Sequence, residues 1–145
     1  MSITVIGFDP GVSTGVAIYI NGNLVKLKTV RVDEYHELLF DVDRPLFVVI
    51  EDSRKQSHVF TGPRVTGAAK SKIARNIGMI DGFCHVLQTL CETCAIPFVL
   101  VSPEQKGRKL DDETFKRITG YQGRSNQHER DAAMVARPFR NHRGH

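Results

Sequence analysis

The sequence predicts a single mixed α/β domain, a five-stranded sheet flanked by helices, and three observations point there. Short apolar runs with strand periodicity alternate with amphipathic stretches in the order βββαβαβαα. Asn21-Gly22 is a strong signal for a two-residue hairpin, because a type I′ turn needs positive φ at both positions. The 145 residues are enough for one sizeable core, and 41% hydrophobic with 25% charged residues excludes a disordered or fibrous chain.

Each element follows from its residues. Ile3 to Asp9 alternates as a strand, Thr14 to Ile20 is a second, and the hairpin returns a third over Asn23 to Val32. Asp33 is placed to cap a short helix over Glu34 to Phe40. Leu46 to Glu51, an almost unbroken apolar run after Pro45, suits a central strand buried on both faces. A loop rich in Arg, Lys, Ser and Gln, containing Gly62-Pro63, leads to a long helix over Thr66 to Cys94. Its Ile73, Ile77, Ile80, Cys84, Leu87, Cys91 and Cys94 recur in steps of four and three, a stripe for core packing or a dimer interface. Pro97 to Val101 gives the fifth strand, and Asp111 caps a helix that Gly120 ends. A last helix runs from Gln127 to Ala136, before Pro138. Residues 1–137 make the domain, and 138–145 form a basic C-terminal tail, with Arg140 and Arg143, expected to be mobile and to add non-specific affinity.

No apolar run spans a bilayer, and the start of the chain carries neither a basic leader nor a cleavage site, so a cytoplasmic protein without a membrane partner is expected. Twenty Lys and Arg against sixteen Asp and Glu, net +4, permit a polyanionic partner without demanding one. Cys84, Cys91 and Cys94 are too few and wrongly spaced for a disulfide framework or a zinc tetrahedron, and read as small buried hydrophobes.

The chemistry lies in the carboxylates. Asp9 ends the first strand, followed by Pro10-Gly11, and shares a strand face with Ile3 and Val5. Glu51 ends the fourth in the same way, sharing a face with Phe47 and Val49. If the two strands are neighbours, the carboxylates repel unless a cation lies between them. Each alone is equally well a strand-end cap. His128 and Asp131, three apart, share one face of the last helix, and the alanines after Asp131 let that helix lie close to the sheet. Asn126 and Glu129 form a capping box, and Glu129 faces away from Asp131.

At Gly7-Phe8-Asp9-Pro10-Gly11-Val12-Ser13-Thr14-Gly15 the sequence resembles the RuvC-type Holliday junction resolvases, of the ribonuclease H-like nuclease superfamily. The resemblance extends through Val49-Ile50-Glu51 and His128-x-x-Asp131-Ala132, to Gly78 and Gly82 of the long helix, and to the order of elements. It implies a ribonuclease H-like fold and an endonuclease that resolves four-way DNA junctions, in recombination or repair, by phosphodiester hydrolysis leaving a 5′-phosphate and a 3′-hydroxyl. It implies Asp9, Glu51, His128 and Asp131 as catalytic and metal-binding residues, with Asp9 bridging two ions, Glu51 serving one and Asp131 with His128 the other. Hard oxygen ligands favour two Mg²⁺, with Mn²⁺ as substitute. His128 departs from the pattern, since many members carry a carboxylate there. An imidazole can ligate a metal, orient water or, protonated, stabilise charge. The loop from Asp52 to Thr66 does not follow the family closely.

Two symmetric nicks on a nearly two-fold junction call for a homodimer, with the long helix as its interface. The residues expected to bind DNA are Arg54, Lys55 and Arg64 in the loop, Lys72 and Arg75 on the helix, and Lys106 and Lys109 before Asp111. Phe60 is expected to stack on an unpaired base. The expected setting is a bacterial or phage-infected host cytosol, and no segment identifies a helicase partner. Three alternatives stand beside this: a ribonuclease H-like enzyme for RNA–DNA hybrids or other branched DNA, a non-catalytic DNA-binding module, and a fragment of a sugar-kinase or actin-like ATPase, which would need a second lobe.

Overall fold

The computed structural model describes residues 2–55 and 66–143. Asn21 and Gly22 turn at φ of 51° and 84°, closing the hairpin between β2 (Thr14–Ile20) and β3 (Asn23–Val30). β1 (Thr4–Asp9) pairs antiparallel with β2 and parallel with β4 (Leu46–Glu51), and β5 (Phe98–Val101) is parallel to β4. The sheet order is therefore β3-β2-β1-β4-β5, a mixed five-stranded sheet with β1 and β4 side by side.

Strand alternation divides the core in two. Ile6, Phe8, Val16, Val48 and Ile50 face α1 (Tyr35–Phe40) and α2 (Gly67–Thr93), meeting Leu38, Leu39, Leu87 and Cys91. Val5, Ala17, Phe47 and Val49 face α3 (Asp112–Thr119) and α4 (Gln127–Ala136), meeting Phe115, Ala132, Ala133 and Ala136. Every residue of β4 is buried, as its apolar run requires. Asp111 caps α3 by accepting from the Thr114 amide, and Gly120 ends that helix in the left-handed region at φ 75°. Among the described residues no helix is long and apolar enough to cross a membrane.

Three details differ from expectation. Asp33 does not cap α1. The chain first makes a 3₁₀ turn over Val32–Glu34, and Asp33 pairs with Arg31 at 3.1 Å instead. The stripe on α2 is buried at Cys84, Leu87 and Cys91, whereas Ile73 is 37% exposed. The first turns of α2, as far as Asn76, are exposed and extend past the core. The C-terminal residues are not a trailing tail as far as His142. After a 3₁₀ turn at Arg137–Phe139, Phe139 packs into the α4-side core and His142 stacks on Phe47 at 3.7 Å. Aromatic area gained on the sheet outweighs chain freedom there. Phe47 lies near the start of β4, so this segment sits at the end of the sheet opposite Glu51.

Candidate active site

Parallel pairing of β1 and β4 matches Phe8 with Ile50, so the next residues, Asp9 and Glu51, emerge side by side at the same end of the sheet. Both point to the face that α4 covers, since Val5, Phe47 and Val49 on that face belong to the α4 core. α4 approaches closely because the sheet offers no side chain beneath it at Gly7 and Gly15. A Cβ on Gly15 would run into the His128 backbone carbonyl, and one on Gly7 into the Ala132 carbonyl and Ala136. This contact brings His128 and Asp131 over the carboxylates. Asn126 caps the helix by accepting from the Glu129 amide at 2.9 Å. Glu129 returns a bond to the Asn126 amide and accepts from Thr29 at 2.9 Å, and so faces away from the site as expected.

The four residues expected to be catalytic are therefore gathered in one cleft of about 870 Å³. The Asp9 and Glu51 carboxylates lie close enough to shift one another's ionisation. His128 Nδ1 lies 3.2 Å from Asp9 Oδ2. Asp131, 5% exposed, accepts from Gln127 Nε2 at 2.8 Å, which fixes its Oδ1. Lys106, expected only to bind DNA, enters the cluster itself. Its ammonium bonds the Glu51 carboxylate and lies 3.5 Å from Asp131 Oδ2.

The electrostatics follow from that crowding. Burial first, and then the hydrogen bond and charge of Asp9, push the Glu51 carboxyl up to about 8, against the opposing pull of Lys106. Burial raises Asp9 as well, with Asp131 adding to it, while Glu51, Lys106 and Lys109 act in the other direction. Burial works against the Lys106 charge, but Glu51, Asp131 and Asp9 hold its ammonium above the usual lysine range.

A carboxyl whose folded pKa lies above its unfolded one costs nothing where both states are protonated, below about 4.5. The cost grows as pH rises and is complete above about 8. Glu51→Gln is therefore expected to melt higher than the parent in EDTA at pH 8, by about 1–2 kcal/mol, the usual gain from relieving a functional site. At this chain length that is roughly 3 °C per kcal/mol. The gap should close towards pH 4.5. Melting curves at the two pH values check it, and an equal gap at both would show that the carboxyl is not strained.

These residues fit hard divalent cations. Asp9, Glu51 and Asp131 supply oxygen donors, they are half-buried or buried, and their charge exceeds what one lysine neutralises. Among the described residues no group of three His, Cys, Asp or Glu side chains is already drawn into a metal cage. Lys106 occupies the position of a counter-ion between two of the carboxylates, so they need not close on one another.

The other expected DNA contacts are dispersed. Lys109 lines the cleft, as does its neighbour Arg108. Lys72 and Arg75 are exposed on the overhanging half of α2. Arg54 lies outside the cleft, bound to the buried Asp52 at 2.7 and 3.1 Å and to Gln88 at 2.7 Å. Lys55 reaches the Leu100 carbonyl at 3.3 Å. Phe60 and Arg64 lie outside the described residues.

Sequence reasoning missed several contributors. Gln127, which positions Asp131, was findable as its i−4 neighbour on one helical face. The clamp on the end of β4, with Ser53 donating to Asp81 at 2.7 Å and Cys84 Sγ to the Glu51 carbonyl at 3.5 Å, left no local signal. Nor did Val12, Asn76 and Met79, which also line the cleft.

Solved structures share this arrangement of elements. T. thermophilus RuvC in complex with a Holliday junction substrate matches with a TM-score of 0.60 and 18% identity, over 92% of this chain and 90% of that one. A second structure, of Thermus thermophilus RuvC, matches with a TM-score of 0.57 and 17% identity, over 94% and 91%. The chain thus has the fold of RuvC, the ribonuclease H-like class its motifs indicated. No protein-family model matches the sequence, and no curated protein matches it.

Proposed function

We propose that this chain is a divalent-metal-dependent endonuclease that resolves four-way DNA junctions by paired, symmetric phosphodiester hydrolysis, acting as a homodimer. The observation that carries the reading is the convergence of Asp9, Glu51, Asp131 and His128 at the open end of a RuvC-like sheet. Two bound Mg²⁺ would supply a nucleophilic water at neutral pH and neutralise charge on the attacking and leaving oxygens. Asp9, Glu51 and Asp131 are the residues that would hold them. Gln127 keeps Asp131 in place, and the His128 ring nitrogen facing Asp9 can carry a proton or orient that carboxylate. Lys106 and Lys109 bring positive charge to the scissile phosphate, and Lys72 and Arg75 bind phosphates further along the strand.

The exposed half of α2 supports a dimer. Its apolar stripe continues past the domain at Ile73 and Ile77, and Gly78 and Gly82 have open space where a side chain would stand. Two copies related by a two-fold axis would place two clefts on one junction.

Cleavage of an immobile synthetic four-way junction with Mg²⁺, beside matched linear duplex, flap and RNA–DNA hybrid, tests the reading. Paired symmetric nicks on the junction, absent with EDTA and in Asp131→Asn, are expected. Preference for the hybrid would make the chain a ribonuclease, and tight junction binding with no cleavage would make it a binding module.

A further inference from the structure

Tyr35, the first residue of α1, places a hydroxyl among the aliphatic and aromatic side chains of the core on that side of the sheet. The residue is fully buried, its ring edge-on to Phe8 at 5.9 Å. A buried phenol must find its hydrogen bond inside the protein. This one bonds Thr14 Oγ1, its one hydrogen-bond partner among the described residues. Thr14 opens β2 on the same sheet face as Val16 and Ile18. Its hydroxyl also accepts from the Gly11 amide at 3.3 Å and donates to the Gly11 carbonyl at 2.9 Å. A threonine hydroxyl has one proton and two lone pairs. One arrangement satisfies all three contacts: Tyr35 donates, so that Thr14 accepts twice and gives its own proton to Gly11. Burial above all pushes the Tyr35 hydroxyl up to about 12, against its bond to Thr14 and with Cys84 and Asp9 adding to the rise. The phenol therefore stays protonated, and able to donate, through the neutral range.

The segment held in this way is the one that follows Asp9. Pro10, Gly11, Val12 and Ser13 cross from β1 to β2 and line the cleft. Among the described residues, the two bonds between Gly11 and Thr14 are the only hydrogen bonds these four make. Resting on the nuclease reading above, we propose that Tyr35 is a positioning residue for the metal site: through Thr14 it locks the Asp9-Pro10-Gly11 turn, and so holds the Asp9 carboxylate in place to bind a divalent cation. α1 thereby supports the site from the face opposite α4, where Gly15 seats the helix and Gln127 holds Asp131.

Tyr35→Phe tests this, because it keeps the ring beside Phe8 and removes only the donor. It is expected to unfold cooperatively near the parent's denaturant midpoint and to bind an immobile four-way junction in EDTA as tightly as the parent. Without DNA it should bind Mn²⁺ about tenfold more weakly, the lower end of what groups orienting metal ligands contribute. That affinity is read from the loss of the free-ion EPR signal on titration. Turnover at saturating junction should fall by a similar factor with KM unchanged. Thr14→Val removes all three bonds at one hydroxyl and keeps the branched shape. The double variant should bind Mn²⁺ no more weakly than Thr14→Val alone, because Tyr35 acts only through Thr14. Parent-like Mn²⁺ affinity and turnover in Tyr35→Phe, or additive losses in the double variant, would overturn the positioning role and leave the nuclease reading standing. Loss of junction affinity and stability in step with turnover would also overturn it, since a merely structural tyrosine predicts that. A parent chain that neither takes up Mn²⁺ nor cuts any junction would overturn both.

Discussion

Asp9→Asn is expected to lower junction cleavage at least about a thousandfold while raising the melting temperature of the protein in EDTA. Asp9 lies 3.2 Å from the His128 ring and within the fields of Glu51, Lys106 and Asp131. An amide keeps its shape but loses the charge with which Asp9 would hold a divalent cation. Metal-supplied stabilisation of phosphoryl transfer amounts to several kcal/mol, and each 1.36 kcal/mol is a factor of ten. The stability change has the opposite sign, because burial raises the Asp9 pKa and the fold therefore disfavours its ionised form near neutrality. Single-turnover cleavage and thermal melting of the same preparation check both halves. A variant that cleaves at the parent rate would remove Asp9 from the chemistry, and one that melts lower would show that its charge stabilises the fold.

Gly15→Ala is expected to do the reverse, losing cleavage and stability together without touching an ionisable group. Gly15 pairs with Asp9 in the β1–β2 ladder, and a Cβ there would overlap the His128 carbonyl and crowd the Glu129 amide. Both obstacles are backbone, so neither can rotate aside. α4 must lift, and His128 and Asp131 move with it. Overpacking of a close contact costs about 1–3 kcal/mol, and a displacement of about 1 Å in a catalytic group costs on the order of a hundredfold in rate. Denaturant unfolding and cleavage assays check the pair. Retained activity would mean that the glycine serves the turn after β1 and not the seat of α4.

Most elements were legible because their signals are short-range. The Asn21-Gly22 turn, the Asn126–Glu129 and Asp111 caps, Gly120 and the run from Leu46 to Glu51 each act over a few residues, and the observed β2, β4 and α4 have the expected bounds. The error at Asp33 was also local, since Arg31 two residues earlier competes for the same carboxylate. The candidate site was legible as far as chain direction allows. A carboxylate ending an apolar strand must emerge at an end of the sheet, and His128 and Asp131 must share a helical face.

The sequence by itself determined most of the elements and the face each carboxylate takes, because periodicity and capping are fixed by neighbouring residues, whereas the end of β3 and the start of α1 shifted by one or two residues. Only the tertiary structure decided that Lys106 stands among the carboxylates and that Arg54 is tied to Asp52 outside the cleft. It also decided that α2 overhangs the core and that α4 rests on Gly7 and Gly15. Lys106 and Glu51 are 55 residues apart, and His128 and Asp9 are 119. Which of several cations reaches a buried carboxylate depends on how loops close over the sheet, and no local pattern of residues encodes that choice.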